Sequence, residues 1–556
     1  MDKTKKSSFV TGAAILGIAG LLVKIIGAVY RIPLTNIVGS DGMAYYEVAY
    51  PYYSWLLVIS SAGIPTAVSK LVSERVALGD GIGAKRVFKA SLKLLFVIGI
   101  ITSVLLFALS GSIAKLSNAE AAKYSFMALA PALFFVSIMC AYRGYLQGMQ
   151  CMTGTAISQI AEQIFKLIFG FSLAYYFVKM QPDRPELAAM GALLGVSISE
   201  LIALVIIYIY YRHNIRKGTL AVCPLLMEQR VKRGPTMKTI VKRLLIIAIP
   251  ITIGASIMPI TGIADSAFII NILEKKNLAA GMLAESDTLP TAISAARQSY
   301  TVFRSYVTTL TNMPAVLTLA LSMSLVPAIS EACARKDRST VKNASSTGIK
   351  LAMLIGAPCA VGLFVIGGPV MKLLYSELSS NSDLYREAVD VMYYASIGVL
   401  FLALVQTLTG IIQGLNKPRV PVYFLAIGGA IKVISMLLLM NFTSLGIRGA
   451  ALSTVLCYAF AGIADTIYLI KTAKLDISYI DTFIKPIFAS VLMGLLVWGI
   501  YSLVVNTGRT VVATMLSVVV GVIAYCVLII ALHPLCSSDF DFIPKGAKLK
   551  KLFRVK

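Results

Sequence analysis

The amino-acid sequence predicts an all-α integral membrane protein of about fourteen transmembrane helices built as two parallel repeats, and three observations carry that expectation. Of 556 residues, 58% are hydrophobic and only 14% charged, with a mean hydropathy of +0.81, a composition outside the range of soluble globular chains. Apolar stretches of the ~20 residues that cross a ~30 Å hydrocarbon core recur along the whole chain. Matched landmarks appear in the same order in both halves, the signature of an internal duplication.

The spans fall at about 9–31, 44–72, 88–110, 123–148, 155–178, 188–211, 244–272, 299–328, 346–366, 388–414, 420–440, 447–470, 484–505 and 510–532. The first follows Lys3, Lys5 and Lys6 in the manner of a signal peptide, yet it is long and contains Lys24, so a retained helix is expected. A cation at the centre of a spanning helix costs at least ~2.5–3.5 kcal/mol, so an intramembrane charge faces a partner or a wet cavity. Lys24 lies about 20 Å into the span, and Arg31, seven residues on, shares its helix face roughly 10 Å away. Lys24 therefore reads as functional, whereas Arg31 near the far edge suits a lipid headgroup as well as a ligand.

The connecting charges set an orientation. Lys85, Arg86 and Lys89, the stretch 212–243, Arg335 to Lys342, Lys417 with Arg419, Lys471 with Lys474 and the tail 545–556 are basic. The loops 36–42 and 441–446 between them are nearly free of Lys and Arg. Under the positive-inside rule both termini are then cytoplasmic. The net charge of +25 follows from these loops meeting anionic lipid, and nucleic acid is not an expected partner.

The basic stretch with Pro224 and Pro235 suits a linker, giving an amino-terminal lobe at 1–212, a cytoplasmic linker at 213–243 and a second lobe at 244–472. Pro65 in GIPTAVSK pairs with Pro327 in LVPAISEA, Gln147 in GYLQGM with Gln413 in GIIQGL, Lys166 with Lys432, and Gly191 in GALLG with Gly449 in GAALS. Each lobe holds an even number of helices, so the repeats insert with the same topology and the natural site lies between them.

Further intramembrane charges are Glu162, Lys166, Glu200, Asp265, Arg304, Lys432 and Asp465. Glu162 and Lys166 are spaced to neutralise one another at i,i+4. Two readings of Asp265 stay open, an ion pair with Lys432 and a site for a coupling cation. Glu47 is a carboxylate near Lys24 that could neutralise it. Arg304, near the start of the eighth span, suits an interface and a substrate equally. Arg143 approaches the end of the fourth span, where a headgroup accounts for it. Tyr45, Tyr46, Tyr50, Tyr52, Tyr53 and Trp55 suit an interfacial aromatic belt.

Eight cysteines without a CxxC pair and two histidines suggest neither a metal site nor a disulfide framework, and no cofactor is expected. Gly79, Gly81 and Gly83 before Lys85 lack the order of a nucleotide-binding loop. With no nucleophile elbow and no HExxH, transport and not catalysis is left.

GxPxAxSKxxSE at 63–74, RGYLQG at 143–148, EQIFK at 162–166, LVPAISE at 325–331 and the VKIIG of the first span resemble the MurJ and stage V sporulation protein B group of the multidrug/oligosaccharidyl-lipid/polysaccharide exporter superfamily. The resemblance implies two six-helix lobes in a V, two further helices at 473–534 that form a lipid-tail groove, and a basic cytoplasmic tail at 535–556. It also implies a bacterial cytoplasmic-membrane flippase that moves lipid II, the undecaprenyl-pyrophosphate-linked peptidoglycan precursor. Flipping of another polyprenyl-linked glycan and cation-coupled drug antiport are the alternatives. Lys24 matches a basic position of that group. Lys24, Arg31 and Arg304 are thus the candidate substrate-binding residues, and Asp265, Lys432, Glu47, Glu162 and Lys166 the candidates for coupling or internal ion pairing. The expected partners are a lipid-linked anionic glycan, membrane lipids, and the membrane potential or a monovalent cation as energy source, with the chain acting as a monomer.

Overall fold

The computed structural model describes residues 3–218, 236–283, 291–473, 475, 478–536 and 539, with side chains from residue 17 onward. Linker residues 219–235 and tail residues 540–556, on which two sequence expectations fall, lie outside that set. Among the described residues there is no strand, and twelve helices are long and apolar enough to cross a membrane. The chain divides into two compact units, Met1–Asn271 and Ile272–Lys556.

The first unit comprises α1 (Lys3–Ser61), α2 (Ile64–Ala77), α3 (Gly81–Ala108), the short α4 (Ser110–Leu116), α5 (Lys123–Gly148), α6 (Met152–Met180), α7 (Pro185–Arg216) and most of α8 (Met237–Ala279). The second holds α9 (Ala292–Thr301), a π-helical turn Val302–Val307, α10 (Thr308–Asn312), α11 (Ala315–Ala334), α12 (Arg338–Leu374), α13 (Ser376–Ser380), α14 (Ser382–Gly414), α15 (Arg419–Phe442), α16 (Ile447–Ala473), a second π turn Ile480–Ile484, α17 (Lys485–Val505) and α18 (Thr510–Leu532).

The twelve differ from the fourteen expected spans at two places. The first two spans form one stretch of 61 residues, Gly17–Ala77, about 90 Å of helix, or three times a hydrocarbon core. The 29-residue α6, which carries Glu162, Lys166 and Lys179, is not among the twelve. The eighth span also departs from a single helix: a π turn and a break before Pro314 divide it into α9, α10 and α11.

A kink inside α1 takes the place of the expected loop at 36–42. Gly39 has φ 74° and ψ 173°, a region open essentially to glycine alone, so the chain bends at one residue without leaving helical hydrogen bonding on either side. Ser40 beside it is 2% exposed.

The duplication is visible as packing. A Cβ on Gly144 would meet Pro65 O at 2.9 Å and one on Gly148 would meet Val72 Cβ at 2.6 Å; in the second unit Gly410 stands against Ser322 and Gly414 against Ile329. Ser73 Oγ donates to Gly148 O at 2.9 Å, and Ser330 Oγ to Gly414 O at 3.2 Å. After both helices the next turn is the same, with Gln150 and Asn416 at φ 60°. Asp80 caps α3 through Gly83 N, and Asp337 caps α12 through Thr340 N. The Gln147–Gln413 and Gly191–Gly449 pairings therefore hold, since Gly191 packs on Leu173 and Gly449 on Leu439. The pairing of Pro65 with Pro327 does not: Pro65 and Ser322 occupy the equivalent place, because a glycine contact fixes register where a lone proline does not.

The chain after α18 is tied down in the second unit. Lys350 Nζ donates to Asp539 Oδ2 at 2.7 Å, and Thr347 Oγ1 to Oδ1 at 2.5 Å. Cys536 N donates to Oδ2 at 2.7 Å. The Lys350 and Asp539 side chains are both buried.

These close approaches have measurable consequences. Gly39→Ala should lower stability by about 1–3 kcal/mol through its backbone alone, and Gly148→Val should cost about 1–3 kcal/mol through overpacking against Val72. Gly111→Ala, where a Cβ meets nothing within 4 Å, should leave the melting temperature of the detergent-purified protein unchanged.

Candidate functional site

Within the first unit, α1, α5, α6 and α7 bring six charged side chains into the bundle. Arg31 and Glu47 form an ion pair across the Gly39 kink. Sixteen residues of straight helix would hold them about 24 Å apart, so the bend is what lets them meet. Glu47 is 0% exposed, whereas the Arg31 side chain keeps 27% of its surface open.

Arg31 also sits 5.9 Å from the Tyr46 ring centroid. Tyr46 stacks on Tyr50 at 5.5 Å, and Tyr50 lies 5.9 Å from Tyr53, an i, i+4, i+7 stripe on one face of α1. Lys166 of α6 lies over both Tyr30, at 5.1 Å, and Tyr50, at 5.7 Å. Tyr30, Tyr45, Tyr46 and Tyr53 are buried. Of the aromatic residues expected at an interfacial belt, Tyr46, Tyr50 and Tyr53 instead join Tyr30 in a cage inside the bundle, where aromatic faces offset the desolvation of a cation.

Deeper on α6, Glu162 Oε2 pairs with Arg143 Nη2 of α5 at 3.0 Å. Arg143 Nε donates to Ser158 Oγ at 3.0 Å, and Gln163 Nε2 donates to Glu162 Oε1 at 3.1 Å. Glu200, buried on α7, lies beside Glu162. Two sequence expectations change here. Glu162 pairs across helices with Arg143, not along its own helix with Lys166, because the bundle offers it a guanidinium that also bonds its neighbour Ser158. Arg143, 12% exposed at its side chain, faces that pair and not a headgroup. The partner of Glu47 is likewise Arg31 and not Lys24.

Lys24 stands apart. It is exposed on α1 with Leu22, Ile25 and Val29 as exposed neighbours, and among the described residues no carboxylate lies within ion-pair distance of it. Asp265 is buried on α8 in the first unit. In the second unit Lys432 is buried on α15, and Arg304 is half-buried in the π turn of 302–307, a rare element concentrated at functional sites. The Arg143–Glu162 pair was open to inference from sequence, since the two residues flank a hairpin turn at 149–151. The tyrosine cage was not, because an interfacial belt and a buried stripe share one spacing.

Breaking the Arg31–Glu47 pair from one side should cost about 3–5 kcal/mol, while replacing both partners with apolar residues should recover most of it. Thermal unfolding of Glu47→Leu, Arg31→Met and the double variant checks this. Equal destabilisation in the double and single variants would show that packing, not charge, dominates at this position.

Residues 9–333 match the family described as polysaccharide biosynthesis protein, and residues 304–438 match MatE. The lipid II flippase MurJ of Bacillus subtilis (strain 168) is 27% identical over 465 residues, covering 81% of this chain and 80% of that one. Stage V sporulation protein B of the same organism is 28% identical, covering 81% of each. Among solved structures, lipid II flippase MurJ in an inward closed conformation aligns with a TM-score of 0.66 at 15% identity, over 93% of this chain and 98% of that one. An inward-facing multidrug resistance MATE family transporter aligns with a TM-score of 0.64 at 13% identity, over 81% and 94%. The chain belongs to the polysaccharide biosynthesis protein family, within the multidrug/oligosaccharidyl-lipid/polysaccharide superfamily of membrane transporters.

Proposed function

We propose that this chain is an alternating-access flippase that carries lipid II across the bacterial cytoplasmic membrane for cell-wall synthesis, with both termini cytoplasmic. The observation that carries the reading is Lys24, an exposed cation on an apolar helix with no carboxylate at ion-pair distance among the described residues. A pyrophosphate in a low-dielectric site needs such a cation. The buried Glu47 and the half-buried Glu162 are each engaged by an arginine, which speaks against a drug-cation antiporter, whose substrate wants carboxylates facing it. The similarity to a named lipid II flippase over four-fifths of both chains supports the same substrate class.

Expression in cells depleted of their lipid II flippase should restore growth; no rescue, with the protein present in the membrane, would point to another polyprenyl-linked glycan. In the rescued cells Lys24→Ala should cut flipping roughly 10- to 150-fold, the worth of a charge-assisted hydrogen bond. Lys24→Arg should retain activity and Lys24→Glu should be worst. Full flipping by Lys24→Ala would exclude a substrate-binding role.

The topology is checked by cysteine labelling. Ser40 is buried and unsuited, but Asp183, Thr443 and Thr236 are exposed. Cysteines at 183 and 443 should react with an impermeant reagent in intact cells, and one at 236 only after the membrane is opened.

A further inference from the structure

A groove of about 630 Å³ runs along the first unit between α3 and α8. On α3 it is lined by Ala90, Lys93, Leu94 and Val97, the i, i+3, i+4, i+7 positions of one helix face. On α8 the apolar wall is Val241, Leu245, Ile246 and Ile249, with Lys238 and Lys242 one turn apart at its start. The other face of α8 is spent on the core, where Ile240, Leu244 and Ala248 are buried and Ala248 O packs on Gly63. The groove therefore has largely apolar walls, two lysines at the start of α8 and a third, Lys93, set between Ala90 and Leu94 on the α3 wall. All three are exposed, and among the described residues none lies at ion-pair distance from a carboxylate.

We propose that this groove is a binding site for an anionic diacyl phospholipid, its phosphate held by Lys93, Lys238 and Lys242 and one acyl chain laid between α3 and α8. Charge complementarity selects the anionic headgroup: basic recesses between transmembrane helices are sites for such lipids, and a zwitterionic lipid gains little from three uncompensated cations. Length selects the chain. The lining spans seven residue steps on α3 and twelve on α8, about 10 and 18 Å of helix, which matches the ~15 Å depth of one leaflet. A polyprenyl chain would be far too long to be enclosed. Lys238 and Lys242 stand in the first two turns of α8 and Lys93 twelve residues into α3, in the halves of both helices that are cytoplasmic in the proposed topology. The site is separate from Lys24 and from the charge cluster of α1, α5, α6 and α7.

The test uses the full-length protein, delipidated in detergent and titrated with phosphatidylglycerol, phosphatidylcholine, glycerol phosphate or undecaprenyl pyrophosphate, with retained lipid read by native mass spectrometry. Phosphatidylglycerol should be retained, and phosphatidylcholine and glycerol phosphate should not. The Lys93→Gln/Lys238→Gln/Lys242→Gln variant should bind phosphatidylglycerol on the order of a hundredfold more weakly, about fivefold per lysine. Val97→Trp, which fills the groove and keeps the charges, should weaken it as well. Removing the exposed Lys115 and Lys179, which lie outside the groove, should change nothing. Equal retention of phosphatidylcholine, unaltered binding by the triple variant, or preference for undecaprenyl pyrophosphate would each overturn the assignment.

Discussion

The ion pair between Arg31 and Glu47 is the constraint on which the first unit is built. A carboxylate with no exposed surface cannot stay charged in an apolar bundle without a partner, and its partner is on the same helix sixteen residues earlier. Only a bend brings them together, and only a glycine adopts the backbone that makes it. After the bend, Tyr46, Tyr50 and Tyr53 form one stripe of α1, in which Tyr46 meets Arg31 and Tyr50, together with Tyr30, receives Lys166. Arg143 and Glu162 form a second ion pair, and with Lys166 on the tyrosines and Glu200 beside Glu162 the set counts three cations and three carboxylates. Internal balance of this kind is what makes the solitary charge of Lys24 informative, because the surrounding structure has no electrostatic need of it.

The two units solve the same packing problem with the same parts. In lipid no hydrophobic force drives helices together, so close approach at small residues and interhelical hydrogen bonds do the joining. Gly144 and Gly148 let α5 sit on α2 as Gly410 and Gly414 let α14 sit on α11, and in each case a serine hydroxyl reaches the carbonyl of the second glycine. What differs between the units is the charge placed on that scaffold. The first concentrates it around the bent α1, while the second carries Arg304 in a π turn, where an extra residue per turn swings a side chain away from its helical position.

Most of the architecture was legible in the sequence because membrane spans announce themselves by length and apolarity: α18 occupies 510–532, as expected, and α15 and α17 come within two residues. Legibility failed where one residue overrode a pattern. Gly39 turned an expected loop into a kink, and Pro314 with the π turn divided the eighth span. The repeat was readable from glutamine and glycine, whose positions are fixed by contact, and misread at proline, which tolerates several sites in a helix. Of the site, the charges could be named but not their partners, since an i,i+4 spacing says that two side chains can meet, not that a third will fail to intervene.

The clamp on the segment after α18 has a consequence for biogenesis. Lys350 enters the membrane with α12, but its counter-ion Asp539 lies 189 residues further on. At a synthesis rate of about 5–20 residues per second, the lysine waits roughly 10 to 40 s for it. During that interval the socket formed by Thr347 and Lys350 is incomplete, and a nascent chain truncated before Asp539 never completes it. The polar socket of α12 thus closes only after α18 has been made, so Asp539 couples the burial of Lys350 to a late stage of synthesis.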